Sequence, residues 1–142
     1  MDRKFIISID GASSTGKSTL ARKISNLLKF IHIDSGAMYR AVTLFAKKNH
    51  LLSNNLVDKK GLIKLLPNIK VDFVKNKIHL NGMDVSKDVR DENISNFVSK
   101  VAEIPEVRAF LVTKQRNFTV NHNVVMDGRD IGSVVFPNAD IK

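Results

Sequence analysis

The chain has 142 residues, 43% of them hydrophobic, which is the size of one ordinary domain and enough apolar material to bury its core. Its 23 Lys and Arg against 14 Asp and Glu leave a formal charge of +9, which suits anionic partners, nucleotides and nucleic acids alike, and does not choose between them. No cysteine is present, which excludes a disulfide framework or a thiolate metal site, and His32, His50, His79 and His122 lie far apart with no acidic or histidine partner at helical ligand spacing, which argues against zinc.

The first predicted element is a buried parallel strand over "FIISI", a short β-branched apolar run stopped by Gly11. After a glycine-rich turn, Leu20, Ile24, Leu27 and Leu28 recur at helical spacing and are expected to face inward, with Arg22, Lys23, Ser25 and Asn26 outward. "FIHID" reads as a second strand, and "SGAMYRAVTLFAKKN" as a helix capped by Ser35 with Met38, Val42 and Phe45 on its inner side. The Asn- and Lys-rich stretch 47–60 reads as an exposed connector. Residues 69–86 alternate apolar and polar at period two around "KN" and "NG" turns, which predicts a small antiparallel meander inserted in the α/β pattern. Helical character returns from Ile94, and Pro105 with Glu106 starts a fresh helix carrying Val107, Phe110, Leu111 and Phe118 inward. "NVVMDGRD" is a third core strand ending in an acid-rich turn, and a further strand is expected to start in "PNADIK". No stretch has the apolar length of a membrane span and the N-terminus lacks a signal-peptide pattern, so the sequence reads as a soluble, cytoplasmic protein.

Three motifs carry chemistry. "GASSTGKST", Gly11 to Thr19, has the Gly-x-x-x-x-Gly-Lys-Ser spacing between a predicted strand and a predicted helix. Gly11, Ala12, Ser13, Ser14, Thr15, Gly16, Lys17, Ser18 and Thr19 are therefore candidate ATP-binding residues: backbone N–H groups face the phosphates, Lys17 reaches the β- and γ-phosphates, and the Ser18 hydroxyl ligates Mg²⁺. A guanine-reading Asn-Lys-x-Asp is missing, because Asn76-Lys77 continues with Ile78-His79. "DSGAMYR", Asp34 to Arg40, opens the second helix where the chain faces the crevice beyond the strand ends. "DGRDIG", Asp127 to Gly132, puts three charged residues at a strand's C-terminal end, with Asp127 able to hold Mg²⁺ and Arg129 able to fork onto a phosphate.

These motifs, in this order and with a β-meander between the last two, resemble bacterial cytidylate kinase of the nucleoside monophosphate kinase superfamily, and the resemblance covers essentially the whole chain. It implies an α/β fold of the P-loop NTPase type, a parallel sheet flanked by helices with a small antiparallel insert, and transfer of the γ-phosphoryl group of ATP, with Mg²⁺, to CMP or dCMP. It divides the chain into a core at 1–35 and 105–142 and an acceptor-binding region at 36–104. By the same resemblance Ser35, Arg40 and Arg129 hold the acceptor monophosphate and its sugar side, Ser99, Arg108 and Asp130 read the cytosine, and Lys17, Arg40 and Arg129 serve the transfer itself. UMP or a small metabolite is the alternative acceptor on the same fold; an ATP-switched nucleic-acid-binding module is the rival from another class, disfavoured by one Tyr, no Trp and scattered charge. The expected partners are thus ATP and CMP or dCMP, with no nucleic acid, membrane or obligate protein partner.

The family continues with another strand, an arginine-bearing lid and a last strand beyond the residues matched. "FIISI" is expected to lie between "NVVMD" and a strand near Ile141, so the sequence reads as the N-terminal portion of a longer protein, poorly active by itself.

Overall fold

The computed structural model describes residues 3–12 and 15–142, so Ser13 and Ser14, expected to bind ATP, lie outside the described residues. The chain forms two compact units, one of residues up to Gly36 together with Val112–Lys142, the other Ala37–Leu111.

The first unit is built on three parallel strands, β1 (Ile6–Asp10), β2 (Ile31–Asp34) and β8 (Val124–Gly128), with β8 in the middle. β8 is buried along its whole length, which is why "VVM" is a continuous apolar run with no alternation. The register sets Asp10 beside Gly128 and Asp34 beside Asp127, so the three strands finish at one edge of the sheet. On the free side of β1, Ile141 forms a parallel bridge to Ile7, the Ser8 amide donates to the Ile141 carbonyl at 2.9 Å and the Asp140 amide to Ile6 at 2.8 Å. Where a further strand was expected to start, Ile141 makes an isolated bridge and not a strand, and through it β1 has backbone partners on both sides.

Helix α1 (Lys17–Leu28) follows β1 and packs against β8, but not with its leucines. Ala21 and Ser25 are its buried residues, Ile24 is half-buried, and Leu20, Leu27 and Leu28 are exposed. The expected inward stripe is corrected: the helix turns its small residues to the sheet, and Ala21 joins Ile7 and Val125 in a cluster bordered by Ile9, Ile24 and Phe30. A helix launched directly from a tight loop has its rotational phase set by that loop, so the face toward the sheet is not chosen by the apolar stripe alone.

The second unit holds most of α2 (Ser35–Lys48), whose Met38, Val42 and Phe45 are buried as the spacing predicted. Strands β5 (Val71–Val74), β6 (Lys77–Leu80) and β7 (Met83–Asp84) form the antiparallel meander. Its turns, Lys75-Asn76 and Asn81-Gly82, have positive φ at both central residues, the conformation that matches strand twist in two-residue hairpins. The same chemistry at Asn54-Asn55 joins β3 (Leu52–Ser53) to β4 (Leu56–Val57), so the stretch read as a plain connector contains a hairpin. It runs into α3 (Lys59–Leu65), a helix the sequence reading did not register, seven residues long and capped by Asp58, whose carboxylate accepts from the Gly61 amide at 3.0 Å. Helix α4 (Glu92–Ala102) buries Ile94 and Val101, and α5 (Pro105–Asn121) contributes Val107 and Leu111. Among the described residues no helix is long and apolar enough to cross a membrane.

Candidate active site

Gly11 ends β1, and its amide donates to the Gly128 carbonyl at 3.2 Å, which ties the start of the glycine loop to the end of β8. A Cβ on Gly11 would meet the Thr15 hydroxyl at 3.0 Å, and Thr15 in turn donates to the Ala12 carbonyl at 2.7 Å. Gly16, at φ 85, turns the chain into α1 in a left-handed conformation open to glycine at little cost. The first turn of α1 carries no acidic side chain and Gly16 supplies no side-chain cap, so no side chain of the helix's own first turn neutralises the positive end of its dipole. Lys17, half-buried, folds back over the loop and donates from Nζ to the Ala12 carbonyl at 3.2 Å.

Ser18, one residue on, donates from Oγ to Asp127 Oδ2 at 2.7 Å. Asp127 lies at the end of β8 and is 1% exposed; its other oxygen, Oδ1, faces His32 Nε2 of β2 at 2.5 Å. A hydroxyl and a carboxylate thus stand side by side below the loop, two hard oxygen donors of the kind Mg²⁺ takes together with waters and phosphate oxygens. Among the described residues no group of three or more His, Cys, Asp and Glu side chains could hold a metal ion.

Ser35 is buried, and its Oγ donates to the Asp127 backbone carbonyl at 2.9 Å. This contact is possible because residue 128 is glycine: a Cβ there would lie 1.9 Å from Ser35 Oγ. Arg129 and Asp130 follow, both exposed, with Asp130 at φ 58. The turn that follows them is held at two points. Asp10 accepts from the amides of Ile131 at 2.6 Å and Gly132 at 3.0 Å, one on each carboxylate oxygen. Ile131–Val135 then form a single wide helical turn, and the Arg116 guanidinium donates to the carbonyls of Val134 and Val135 at 3.0 Å each. Such turns leave carbonyls unsatisfied at their end, and Arg116 takes two of them.

The first unit therefore gathers Gly11, Gly16, Lys17, Ser18, Ser35, Asp127, Arg129 and Asp130 around the C-terminal ends of three adjacent parallel strands, the edge at which open α/β sheets bind ligands. Sequence reading missed Asp10, Arg116 and His32 in this arrangement. Asp10 and Arg116 act on backbone groups more than a hundred and nearly twenty residues away respectively, and His32 has its acidic partner across a strand pair, so helical spacing gave no signal for any of them.

Ala12, Thr15 and Thr19 also lie in the first unit, whereas Arg40, Ser99 and Arg108 belong to the second. Arg40 donates from Nη1 to the Val89 carbonyl at 3.0 Å and to Ser95 Oγ at 2.9 Å, which fixes one end of its guanidinium. Ser99 is exposed on α4, and Arg108 is exposed on α5. Burial pushes the Tyr39 phenol up from its ordinary value, an effect that the positive charge of Arg108 partly offsets.

The family model described as cytidylate kinase matches residues 7–142. Among curated relatives, a protein named cytidylate kinase from Flavobacterium johnsoniae is 49% identical over 146 aligned positions, covering 99% of this chain and 64% of that protein. Proteins of the same name from Fusobacterium nucleatum and Chloroherpeton thalassium are 47% and 44% identical, over 96% and 100% of this chain and 62% and 60% of theirs. The chain thus spans less than two thirds of the length of these relatives.

Proposed function

The chain belongs to the cytidylate kinase family, and we propose on that premise that the protein transfers the γ-phosphoryl group of ATP to CMP or dCMP, giving ADP and CDP or dCDP. The observation that carries the reading is the Ser18–Asp127 hydrogen bond, which joins the start of α1 to the end of the neighbouring strand and so supports a triphosphate cradle drawn from two separate motifs.

In this reading the loop amides and the N-terminus of α1 bind the donor phosphates, and Lys17 leaves the Ala12 carbonyl to follow the charge that develops on the transferring group. Ser18 and Asp127 would hold Mg²⁺, which supplies neutralisation of the β- and γ-phosphate oxygens when bound. The acceptor is already an anionic phosphate oxygen, so alignment outweighs base catalysis, and Arg129 and Arg40 provide it. Arg40 enters with part of its five-donor fork already anchored by Val89 and Ser95, which lowers the rotamer freedom it must lose. Ser35, whose proton is committed to the Asp127 carbonyl, still has lone pairs to accept from a sugar hydroxyl. Asp130, Ser99 and Arg108 are assigned to the base. The reaction belongs to the cytoplasm and requires no partner beyond the two nucleotides.

A coupled assay of ATP consumption by the full-length protein tests this. CMP and dCMP should support turnover well above AMP and UMP; equal use of UMP would move the acceptor assignment, and consumption independent of any monophosphate would remove it. Arg129→Lys should raise the KM for CMP by roughly tenfold to a hundredfold, the equivalent of one charge-assisted hydrogen bond of about 1.5–3 kcal/mol, and leave the KM for ATP near that of the parent. A change confined to ATP would assign Arg129 to the donor nucleotide.

A further inference from the structure

His32 is a buried imidazole that the phosphoryl-transfer reading does not use, yet it touches the residue at the centre of that reading. It lies on β2, is 6% exposed, and points Nε2 at Asp127 Oδ1 from 2.5 Å. The opposite carboxylate oxygen, Oδ2, accepts from Ser18 at 2.7 Å. A carboxylate only accepts, so the proton in the His32 pair sits on Nε2. The terminal torsion of an aspartate is soft and nearly two-fold, and a carboxylate held through one oxygen can swing about that contact. Held through both, from opposite sides, it cannot.

We propose that His32 is a positioning residue: by taking Asp127 Oδ1 it turns Oδ2 toward Ser18 and presents the pair in the orientation that a divalent cation on the bound nucleotide needs. The proposal rests on the assignment of Ser18 and Asp127 to Mg²⁺ made above. Backbone register supports it, because His32 stands opposite Val125 on the strand that carries Asp127, and Asp34 stands opposite Asp127 itself, so the imidazole approaches from the β2 side while Ser18 approaches from α1. The two contacts come from different elements, and neither alone sets the carboxylate plane. Partners that hydrogen-bond a ligating carboxylate commonly change metal affinity by ten- to a hundredfold when removed.

The test is calorimetric binding of ADP to the full-length protein, once with Mg²⁺ and once with a chelator, in the parent, His32→Leu and His32→Gln. In the parent Mg²⁺ should tighten ADP binding. His32→Leu should lose roughly tenfold or more of that tightening while its metal-free affinity stays within about twofold of the parent, and His32→Gln, which restores an N–H donor, should recover most of it. A purely structural histidine would lower both affinities together or neither. A folded His32→Leu protein that keeps the full Mg²⁺ effect overturns the proposal, as does equal loss in both conditions. If His32→Leu does not fold, His32→Asn, polar but too short to reach Asp127, carries the same decision. Failure of Mg²⁺ to tighten ADP binding in the parent would instead overturn the metal assignment of Ser18 and Asp127, and this proposal with it.

Discussion

Lys17→Ala in the full-length protein is expected to lower phosphoryl transfer from ATP to CMP by a factor of about a hundred or more, with little change in melting temperature. The magnitude is that of removing one positioned donor from the place where transition-state charge develops, typically a hundred- to a thousandfold. The small effect on stability follows from where the side chain sits. Its ammonium group donates to the Ala12 carbonyl at 3.2 Å in an exposed setting, and the side chain is not part of the cluster of Ile7, Ala21 and Val125 beneath the helix. Steady-state kinetics with CMP, read beside a thermal melt, separate the two effects. Near-normal kcat in a folded variant would remove the glycine loop from the mechanism.

The second large effect should come from a residue with no functional group. Gly128→Ala places a methyl 1.9 Å from Ser35 Oγ and 3.1 Å from both Ser35 Cβ and Ile131 Cδ1. Residue 128 lacks the positive φ found at Gly16 and Gly82, so the difficulty is one of space and not of backbone conformation. Rotation about χ1 can carry the Ser35 hydroxyl away only by giving up its bond, and it leaves the 3.1 Å contact with Cβ in place. Either its hydrogen bond to the Asp127 carbonyl breaks, or the end of β8 moves and takes Asp127 with it. Overpacking at about 1–3 kcal/mol plus a lost buried hydrogen bond of similar size predicts a destabilisation of roughly 2–6 kcal/mol. Calorimetric melting should show it as a fall of several degrees, accompanied by weaker Mg²⁺-nucleotide binding. Adding Ser35→Ala should recover part of the loss, since it removes the closest clash and leaves the 3.1 Å contact between methyl groups. A melt within a degree of the parent would mean that α2 does not start as close to β8 as described.

Both predictions concern residues inside motifs that were readable as spacing, and this marks how far the sequence goes. "FIISI", "FIHID" and "NVVMDGRD" declare buried parallel strands because an apolar β-branched run stopped by glycine or aspartate has few other stable settings. The glycine loop, the inner face of α2 and the hairpin turns of the meander are legible for a similar reason: each depends on residues at most a few positions apart. What the sequence by itself determined is therefore local, namely the order of the longer elements, though not the β3–β4 hairpin or α3, and the chemical identity of the groups at the strand ends.

The tertiary structure decided what depends on which elements meet. Leu20, Leu27 and Leu28 carried the stronger apolar signal in α1, yet Ala21 and Ser25 face the sheet, because the loop sets the helix's rotation and small side chains permit close approach to β8. Asp10 anchors a loop 121 residues away, and His32 meets Asp127 across 95 residues, on neighbouring strands brought together only when β8 inserts between β1 and β2. Neither contact has a periodicity to detect. Hydrogen-bond partners of buried charges are selected by proximity in space, where desolvation makes an unpaired group costly, and sequence separation leaves no trace of that selection.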